Sequence, residues 1–205
     1  YPALHVGEGL ESTLAFKHAW LARPFVLTRA VVYVVTWLAF ARAIVTTSRR
    51  QDQTGDPAPS VRNTRLSVAF IVLFAATYSL ACFDWIMALE PEWYSTIFAI
   101  YNFGGLFASG LATIVVGCVW LEQHGPLHGS VTEEHLHDLG KLLFAFCTFW
   151  MYIWFSQYML IWYANIPEES VYYVRRHEGA WITLFYLNPL LNWVVPFLVL
   201  LRRRA

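Results

Sequence analysis

Long, unbroken runs of apolar residues recur along the chain and are separated by short polar stretches. They cover about residues 24–45, 66–87, 96–121, 139–164 and 180–201. Each run is close to the ~20 apolar residues that an α-helix needs to cross the hydrocarbon core of a bilayer. A soluble core also contains apolar residues, but it does not need runs of this length. The pattern predicts an all-α, polytopic transmembrane helical bundle over residues 24–205.

The segment before the first run has a different pattern. Residues 1–23 combine apolar positions at helical spacing with charged or titratable side chains: His5, Glu8, Glu11, Lys17 and His18. This pattern predicts a helix at the membrane interface, with a mobile chain end as the alternative. The chain opens at Tyr1 without a leader pattern, and its last apolar run leads directly into arginines. We therefore expect it to be an internal piece of a longer protein.

The basic residues predict an orientation. The connection at 46–65 and the tail at 202–204 carry arginines, whereas residues 89–95 include no basic residue. Because cytoplasmic loops collect Lys and Arg, we expect 46–65, 122–138 and the C-terminus in the cytoplasm. Residues 1–23, 89–95 and 165–179 are then outside, although Arg175 and Arg176 count against this. Arg29 and Arg42, near the ends of the first span, should extend their charges towards the membrane surfaces.

Local signals add detail to three spans. Ser130 followed by Glu133 predicts a capping box before the fourth span. Small residues at four-residue spacing in the third span favour close helix packing: Gly104, Ala108 and Ala112. In the fifth span, a kink is predicted by Asn188, Pro189, Asn192 and Pro196.

Composition agrees with a lipid environment. Hydrophobic residues make up 58% of the 205 positions and charged residues 14%, about half the charged share of a soluble domain. The formal net charge is zero, so no global field favours nucleic acid as a partner. Cys82, Cys118 and Cys147 lie inside apolar runs, too far apart for a metal or redox motif.

Cofactor ligands are missing from the span cores. All seven histidines lie outside them, whereas a membrane b-type haem usually takes imidazoles from within a bundle. The sequence also lacks a Cys cluster, a P-loop and a GxGxxG fingerprint. A polar stretch could be drawn as a metal site: His124, His128, Glu133, Glu134, His135, His137 and Asp138. Its spacing follows no ligand pattern, so we expect a solvated loop without metal.

Asp84, near the outer end of the second span, is a functional candidate. A bare carboxylate at this depth costs several kcal/mol or takes up a proton. With Glu90, Glu168 and Glu169 on the same predicted side, it could line a proton exit. The alternatives are a solvated outer face and, for Asp84, contact with headgroup water or capping of a backbone turn. A structural role would make Asp84→Asn nearly silent.

Polar groups inside the fourth span leave two interpretations. Tyr152, Ser156 and Gln157 lie on one face or on adjacent faces of a helix. Hydrogen bonding between helices is the simpler role, and a ligand site is the alternative.

Three stretches carry a family resemblance: residues 84–98 (DWIMALEPEWYSTIF), 137–144 (HDLGKLLF) and 155–169 (FSQYMLIWYANIPEE). They resemble the second large membrane subunit of bacterial alternative complex III, a quinol:cytochrome c oxidoreductase. That subunit belongs to the NrfD-like, or polysulfide-reductase-like, membrane family. The resemblance covers most of the second to fifth spans.

The resemblance implies a subunit of about ten helices in a bacterial inner membrane, of which this chain is the middle and C-terminal part. It implies that haem c and iron-sulfur clusters lie on partner subunits, that a paralogous large membrane subunit is another partner, and that no cofactor is bound by this chain itself, with quinone a possible ligand. The expected role is to support quinol oxidation and proton translocation, with no catalytic residue of its own. Its proton-path candidates are Asp84, Glu90, Glu168, Glu169, His137, Asp138 and Lys141, and its quinone-binding candidates are Gln157, Tyr152 and Tyr94.

Two rival functions stay open. One is a structural anchor of such a complex, because each polar residue above also has a packing explanation. The other is a secondary transporter, which broken helices and midplane charges would favour. Only the fifth span has a clear break signal, and no acid lies at a predicted midplane, so the transporter is the weaker rival.

Overall fold

The computed structural model describes residues 19–90, 93–125 and 127–201. Within these ranges the chain is helical and contains no strand. Five helices are long and apolar enough to cross a membrane: Arg23–Thr54, Ala58–Leu89, Phe98–His124, Glu133–Ala164 and Trp181–Leu200. The predicted all-α, multi-span fold class is confirmed. The interfacial helix predicted over residues 1–23 lies, up to residue 18, outside the described residues.

The chain divides into two compact units, residues 1–91 and 92–205. The first contains a helical hairpin of α1 (Arg23–Thr54) and α2 (Ala58–Trp85), followed by a 3-10 turn (Met87–Leu89). Gly55 ends α1 in the left-handed conformation, at φ 66°, and its N–H donates to the carbonyl of Gln51. A residue without Cβ adopts this conformation at little cost.

The predicted loop over residues 46–65 is wrong, because most of it is helical. Only residues 55–57 connect α1 to α2. Arg and Gln are good helix formers, so the polar end of α1 continues the helix begun by its apolar run. The 32 residues of α1 extend about 48 Å at 1.5 Å per residue, beyond a hydrocarbon core of about 30 Å.

Aromatic side chains pack the hairpin. The rings of Trp37 and Phe74 lie 5.5 Å apart, as do those of Phe40 and Phe70. Trp37 Nε1 donates to Thr77 Oγ1 at 2.9 Å, so the indole also has its polar partner. Elsewhere the hairpin leaves large apolar side chains exposed, as expected of a surface that faces lipid or other subunits.

The second unit contains α3 (Phe98–His124), α4 (Glu133–Ala164), α5 (Pro167–Arg176), α6 (Trp181–Pro189) and α7 (Val195–Leu200). A Cβ added to Gly104 of α3 would lie 3.5 Å from Trp150 Cα of α4. Nearby, the rings of Phe107 and Phe146 are 4.2 Å apart. The predicted close packing at Gly104 is therefore confirmed.

The start of α4 differs from the prediction. Thr132, not Ser130, is its N-cap: Thr132 Oγ1 accepts from the His135 N–H at 3.3 Å, and His135 Nδ1 accepts from the Thr132 N–H at 3.2 Å. Glu133 and Glu134 fall in the first turn, where negative charge is favourable. The polar loop predicted over 122–138 is correspondingly shorter, because α3 continues to His124.

The connection predicted over residues 165–179 is largely the short helix α5, so that loop is also wrong. Pro167 occupies its first turn together with Glu168 and Glu169, and Arg175 and Arg176 lie in its last turn. Acids at the N-terminus and bases at the C-terminus complement the helix dipole.

The last span is interrupted at the position of the predicted kink. Residues Leu190–Val194 form a π-helical turn between α6 and α7, directly after Pro189. Asn192 Nδ2 donates to the carbonyl of Asn188 at 3.0 Å, which gives a backbone oxygen near the proline a partner. The rings of Phe144 in α4 and Phe197 in α7 lie 5.6 Å apart beyond this turn.

Candidate functional site

A buried ion pair lies in the first unit between Asp84 and Arg29. Arg29 Nη2 and Nε lie 2.8 Å from Asp84 Oδ1 and Oδ2, respectively. The two side chains are 11% exposed for Arg29 and 1% for Asp84. Asp84 is in the last turn of α2 and Arg29 in the first turns of α1, so the hairpin brings together residues distant in sequence.

Other groups complete this cluster. Trp20 Nε1 donates to Asp84 Oδ1 at 2.7 Å, and the Tyr33 hydroxyl donates to Oδ2 at 3.2 Å. The guanidinium carbon of Arg29 lies 4.1 Å from the Trp20 ring centroid and 4.2 Å from that of Phe25, within cation–π range. Arg29 Nη1 is buried and has no hydrogen-bond partner among the residues that the structure describes.

These contacts correct the expectation for Arg29 and show how the charge of Asp84 is compensated. Arg29 does not extend its charge to the membrane surface, because it turns inward to Asp84. Asp84 is not a bare carboxylate, since Arg29 compensates its charge and three residues donate hydrogen bonds to it. Pairing of this kind allows a carboxylate to remain charged away from water.

The other proton-path candidates lie at helix ends. Glu90 follows the 3-10 turn of the first unit, whereas Glu168 and Glu169 open α5 in the second. Near the start of α4, Lys141 Nζ and Asp138 Oδ1 form an exposed ion pair at 2.9 Å. Such surface pairs contribute little to stability. The proton exit stays a prediction.

His137 is also exposed near the start of α4. His128 Nδ1 lies 3.1 Å from the Glu122 carbonyl, and His135 serves the Thr132 cap. Across the described ranges, no three His, Cys, Asp or Glu residues converge as a ligand set. The absence of a metal remains a prediction.

The second unit contains a cavity of about 140 Å³ between α3, α4, α5 and α6. Three of its lining side chains, Gln157, Arg176 and Asn188, are polar and non-aromatic. Trp181 and Leu184, which are 62% and 53% exposed, lie at its open side. Its other lining residues are aromatic: Tyr101, Trp154, Tyr172, Tyr173 and Phe185.

A stack of planar groups supports one wall of this cavity. The Arg176 guanidinium carbon lies 3.3 Å from the Tyr172 ring centroid, and Arg176 Nη1 donates to the Tyr172 carbonyl at 2.9 Å. The Trp93 ring stacks on Tyr172 with centroids 4.0 Å apart. Two groups this close to one ring must occupy its opposite faces, so the side chain of Tyr172 is fixed between them.

The polar groups of the cavity are also held in place. Gln157 is 7% exposed, and its Nε2 donates to Ser95 Oγ at 3.0 Å. Asn188 Oδ1 accepts from Asn192 Nδ2 at 2.6 Å, while the Asn188 side chain lies beside the Tyr101 hydroxyl. Preorganised polar groups inside an apolar pocket are typical of sites that orient a small ligand.

Tyr173 lies in α5, outside the five long helices, and is 8% exposed. Burial raises the pKa of the Tyr173 hydroxyl above its usual range. The phenol, which is neutral near pH 7 even at its usual pKa, stays protonated and can donate a hydrogen bond.

The three predicted quinone-binding residues do not come together. Gln157 lines the cavity, but Tyr152 and Tyr94 do not, and they are 65% and 62% exposed. Sequence reasoning missed Tyr101, Arg176 and Tyr173 as cavity residues. The available signal was the density of aromatic residues between 172 and 186, which has little meaning until α5 is recognised as a helix.

Comparison with known proteins adds no family assignment. No protein-family profile matches the chain. No curated protein matches it significantly. What its described residues establish is a helical fold with five helices long and apolar enough to cross a membrane, as in a multi-pass membrane protein.

Proposed function

We propose that the chain is a membrane subunit of a respiratory quinol:cytochrome c oxidoreductase of the alternative complex III type, in a bacterial inner membrane. It supports quinol oxidation by binding the quinone ring in the aromatic cavity of the second unit. Haem c and iron-sulfur clusters on partner subunits receive the electrons. The motif resemblance supports the type of complex, and the cavity is the structural observation that carries the quinone-binding role.

The dimensions of the cavity suit one ring. An apolar cavity of about 150 Å³ holds a benzene molecule, and this one has about 140 Å³. It is too small for a ring together with its isoprenoid tail, so the tail must leave through the open side. Trp181 and Leu184 at that side are exposed on a helix long and apolar enough to cross a membrane. The tail would then lie in lipid, where quinones are dissolved.

The chemistry of the lining also fits a quinone. Trp154 and Phe185 offer apolar ring surface, while Tyr101 and Gln157 offer polar groups for the oxygen atoms of the ring. Arg176 places a positive charge at the same wall, where it would favour electron-rich oxygen. A bound quinol supplies two electrons and two protons, whereas the residues of this chain bind and orient the ring.

Quinone binding in the cavity is tested by obstructing the cavity with a larger side chain in the assembled complex. Leu184→Trp should obstruct the opening and raise the KM for quinol at least tenfold, with assembly retained. Leu191→Trp is the matched control, because Leu191 is similarly exposed in the same span and does not line the cavity. Wild-type KM and wild-type quinone content in the Leu184→Trp complex would refute quinone binding here.

A second variant tests the polar lining without a change in volume. Tyr101→Phe removes one hydroxyl and should raise the KM for quinol several-fold. Tyr152→Phe is its control, because Tyr152 is exposed and lies outside the cavity. Equal effects of the two substitutions on the KM would argue against quinone binding in the cavity.

A structural anchor is the second candidate function. The Arg29–Asp84 pair favours this role, because the carboxylate of Asp84 is held in an ion pair with an arginine of the neighbouring helix. Proton translocation through Asp84 requires the carboxylate to be released from Arg29 during turnover. A complex that keeps quinol oxidation after every cavity substitution would be explained by the anchor role.

A further inference from the structure

A groove of about 690 Å³ lies in the first unit, at the end of the hairpin where α1 meets α2. It is distinct from the aromatic cavity, which belongs to the second unit. Its α1 wall includes Ala39, Ala43, Thr47 and Arg50, at spacings of four, four and three residues. These spacings place the four residues on one face of the helix. The small side chains along this face leave the groove open.

The groove is long enough for more than a headgroup. From Ala39 to Arg50 the helix rises about 16 Å at 1.5 Å per residue, which is enough to hold a headgroup and the first part of an acyl chain. Thr47 is buried, and its hydroxyl donates to the Ala43 carbonyl at 2.8 Å. That bond satisfies the hydroxyl within its own helix.

Three arginines line the groove: Arg42, Arg50 and Arg62. None of them has a carboxylate within ion-pair distance among the described residues. One acid, Asp56, also lines the groove, and its Oδ1 accepts from the Ala58 N–H at 2.9 Å. The lining therefore carries three positive charges and one negative charge, and the excess is positive.

We propose that this groove binds an anionic phospholipid, with the phosphate on Arg50 and Arg62 and the start of one acyl chain along Ala39 and Ala43. Guanidinium groups match phosphate oxygens in geometry and charge. Basic pockets between membrane helices are suited to anionic headgroups. A free phosphate ion would use only the arginines, whereas the groove continues from Arg50 and Arg62 along Ala39 and Ala43 of a helix long and apolar enough to cross a membrane. The proposal is independent of the quinone-binding role.

The hairpin supplies a matched control for the charge. Arg49 and Arg65 are exposed on the same two helices but do not line the groove. Arg50→Gln with Arg62→Gln therefore removes the same charge as Arg49→Gln with Arg65→Gln, at different positions. Neither pair touches the aromatic cavity, so quinol oxidation reports whether each complex is intact.

The test measures phospholipid retained by the purified intact complex, by native mass spectrometry, and thermal stabilisation on transfer into nanodiscs. The discs contain phosphatidylcholine alone or phosphatidylcholine with phosphatidylglycerol. We expect the Arg50/Arg62 variant to lose one retained anionic lipid per chain and the stabilisation by phosphatidylglycerol, and the Arg49/Arg65 variant to keep both. A steric variant, Ala43→Phe, should also expel the lipid while leaving every charge in place.

Several outcomes would overturn the proposal. Equal loss of lipid from the two double variants would show that the lipid is attracted by the overall positive charge of the hairpin and not by the groove. Stabilisation by inorganic phosphate equal to that by phosphatidylglycerol would show a site for free anions. Retention of the lipid by Ala43→Phe would exclude an acyl chain from the groove. Protection of Arg50 and Arg62 from a guanidinium-modifying reagent in a delipidated complex would show that a protein segment fills it.

Discussion

Arg29 and Asp84 form a two-point ion pair between the two helices of the hairpin, with Nε and Nη2 each 2.8 Å from a carboxylate oxygen. The pair is almost completely removed from solvent, at 11% and 1% side-chain exposure. Removing one partner of a buried ion pair leaves an uncompensated charge, which costs more than the pair itself contributes. The consequences of mutating Asp84 therefore depend on Arg29.

Asp84→Asn should destabilise the assembled complex by about 3–5 kcal/mol, because it strands the guanidinium of Arg29. This reverses the expectation that a structural Asp84 would tolerate asparagine. The measurement is the thermal unfolding of the purified complex in detergent. An unchanged midpoint would show that Arg29 has another counter-ion.

The double variant Arg29→Met with Asp84→Leu separates structure from proton transfer. Replacing both charges with apolar groups of similar size is often close to neutral, so stability should recover in part. The recovery is incomplete because Trp20 Nε1 and the Tyr33 hydroxyl lose Asp84 as their acceptor. Quinol oxidation and proton release should then be normal if the pair is structural. A stable double variant that oxidises quinol but releases fewer protons would instead assign Asp84 to the proton path.

Gly104→Leu should weaken the packing of α3 on α4, because an added Cβ already lies 3.4 Å from Phe149 and 3.5 Å from Trp150. Forcing a larger side chain into such a contact costs about 1–3 kcal/mol in the free energy of unfolding. Gly110→Leu is the control in the same helix, since no atom beyond its chain neighbours and the backbone of its own helix lies within 4 Å of its added Cβ. Thermal unfolding of the two variants should differ, and equal midpoints would contradict this helix contact.

The predicted topology places Gln53 and Glu168 on opposite sides of the membrane. Both residues are exposed, so a cysteine at either position should react with a membrane-impermeant maleimide from one side only. Cys82, Cys118 and Cys147 are first replaced to remove background labelling. Labelling of both positions from the same side would contradict the orientation inferred from the arginine distribution.

Replacing His124, His128, His135 and His137 together by Asn should leave the metal content of the complex unchanged. His135 has a capping role, and His128 contacts a backbone carbonyl, so neither needs a metal to explain it. Elemental analysis by mass spectrometry checks the result. Loss of a stoichiometric ion would overturn this prediction.

The spans could be predicted because each requires about 20 apolar residues, and that length is visible in the sequence. The ends of the helices could not be predicted in this way. Crossing a membrane requires apolar residues, whereas a helix can continue through polar ones. Arg49 and Arg50 mark the end of the apolar run, yet α1 continues through them to Thr54. The helix α5 was missed for the same reason, because ten amphipathic residues give no membrane signal.

The sites were harder to predict than the spans. Asp84 stands out as an acid in an apolar run, but nothing in the sequence identifies Arg29 as its partner across the hairpin. Gln157 was selected as a polar residue within a span, and it does line the cavity. Its neighbours Tyr101 and Arg176 belong to other helices, so only the packed fold brings them to the same wall.

The π-helical turn at Leu190–Val194 contains one residue more than the α-helical turn that it replaces. Each residue of an α-helix turns the chain by about 100°, so deleting one residue here would rotate α7 by that angle. Phe197 would then turn away from Phe144, whose ring lies 5.6 Å from it. On the other side of the turn, Asn188 would remain at the cavity. The extra residue thus allows the same span to direct Asn188 towards the cavity before the turn and Phe197 towards α4 after it.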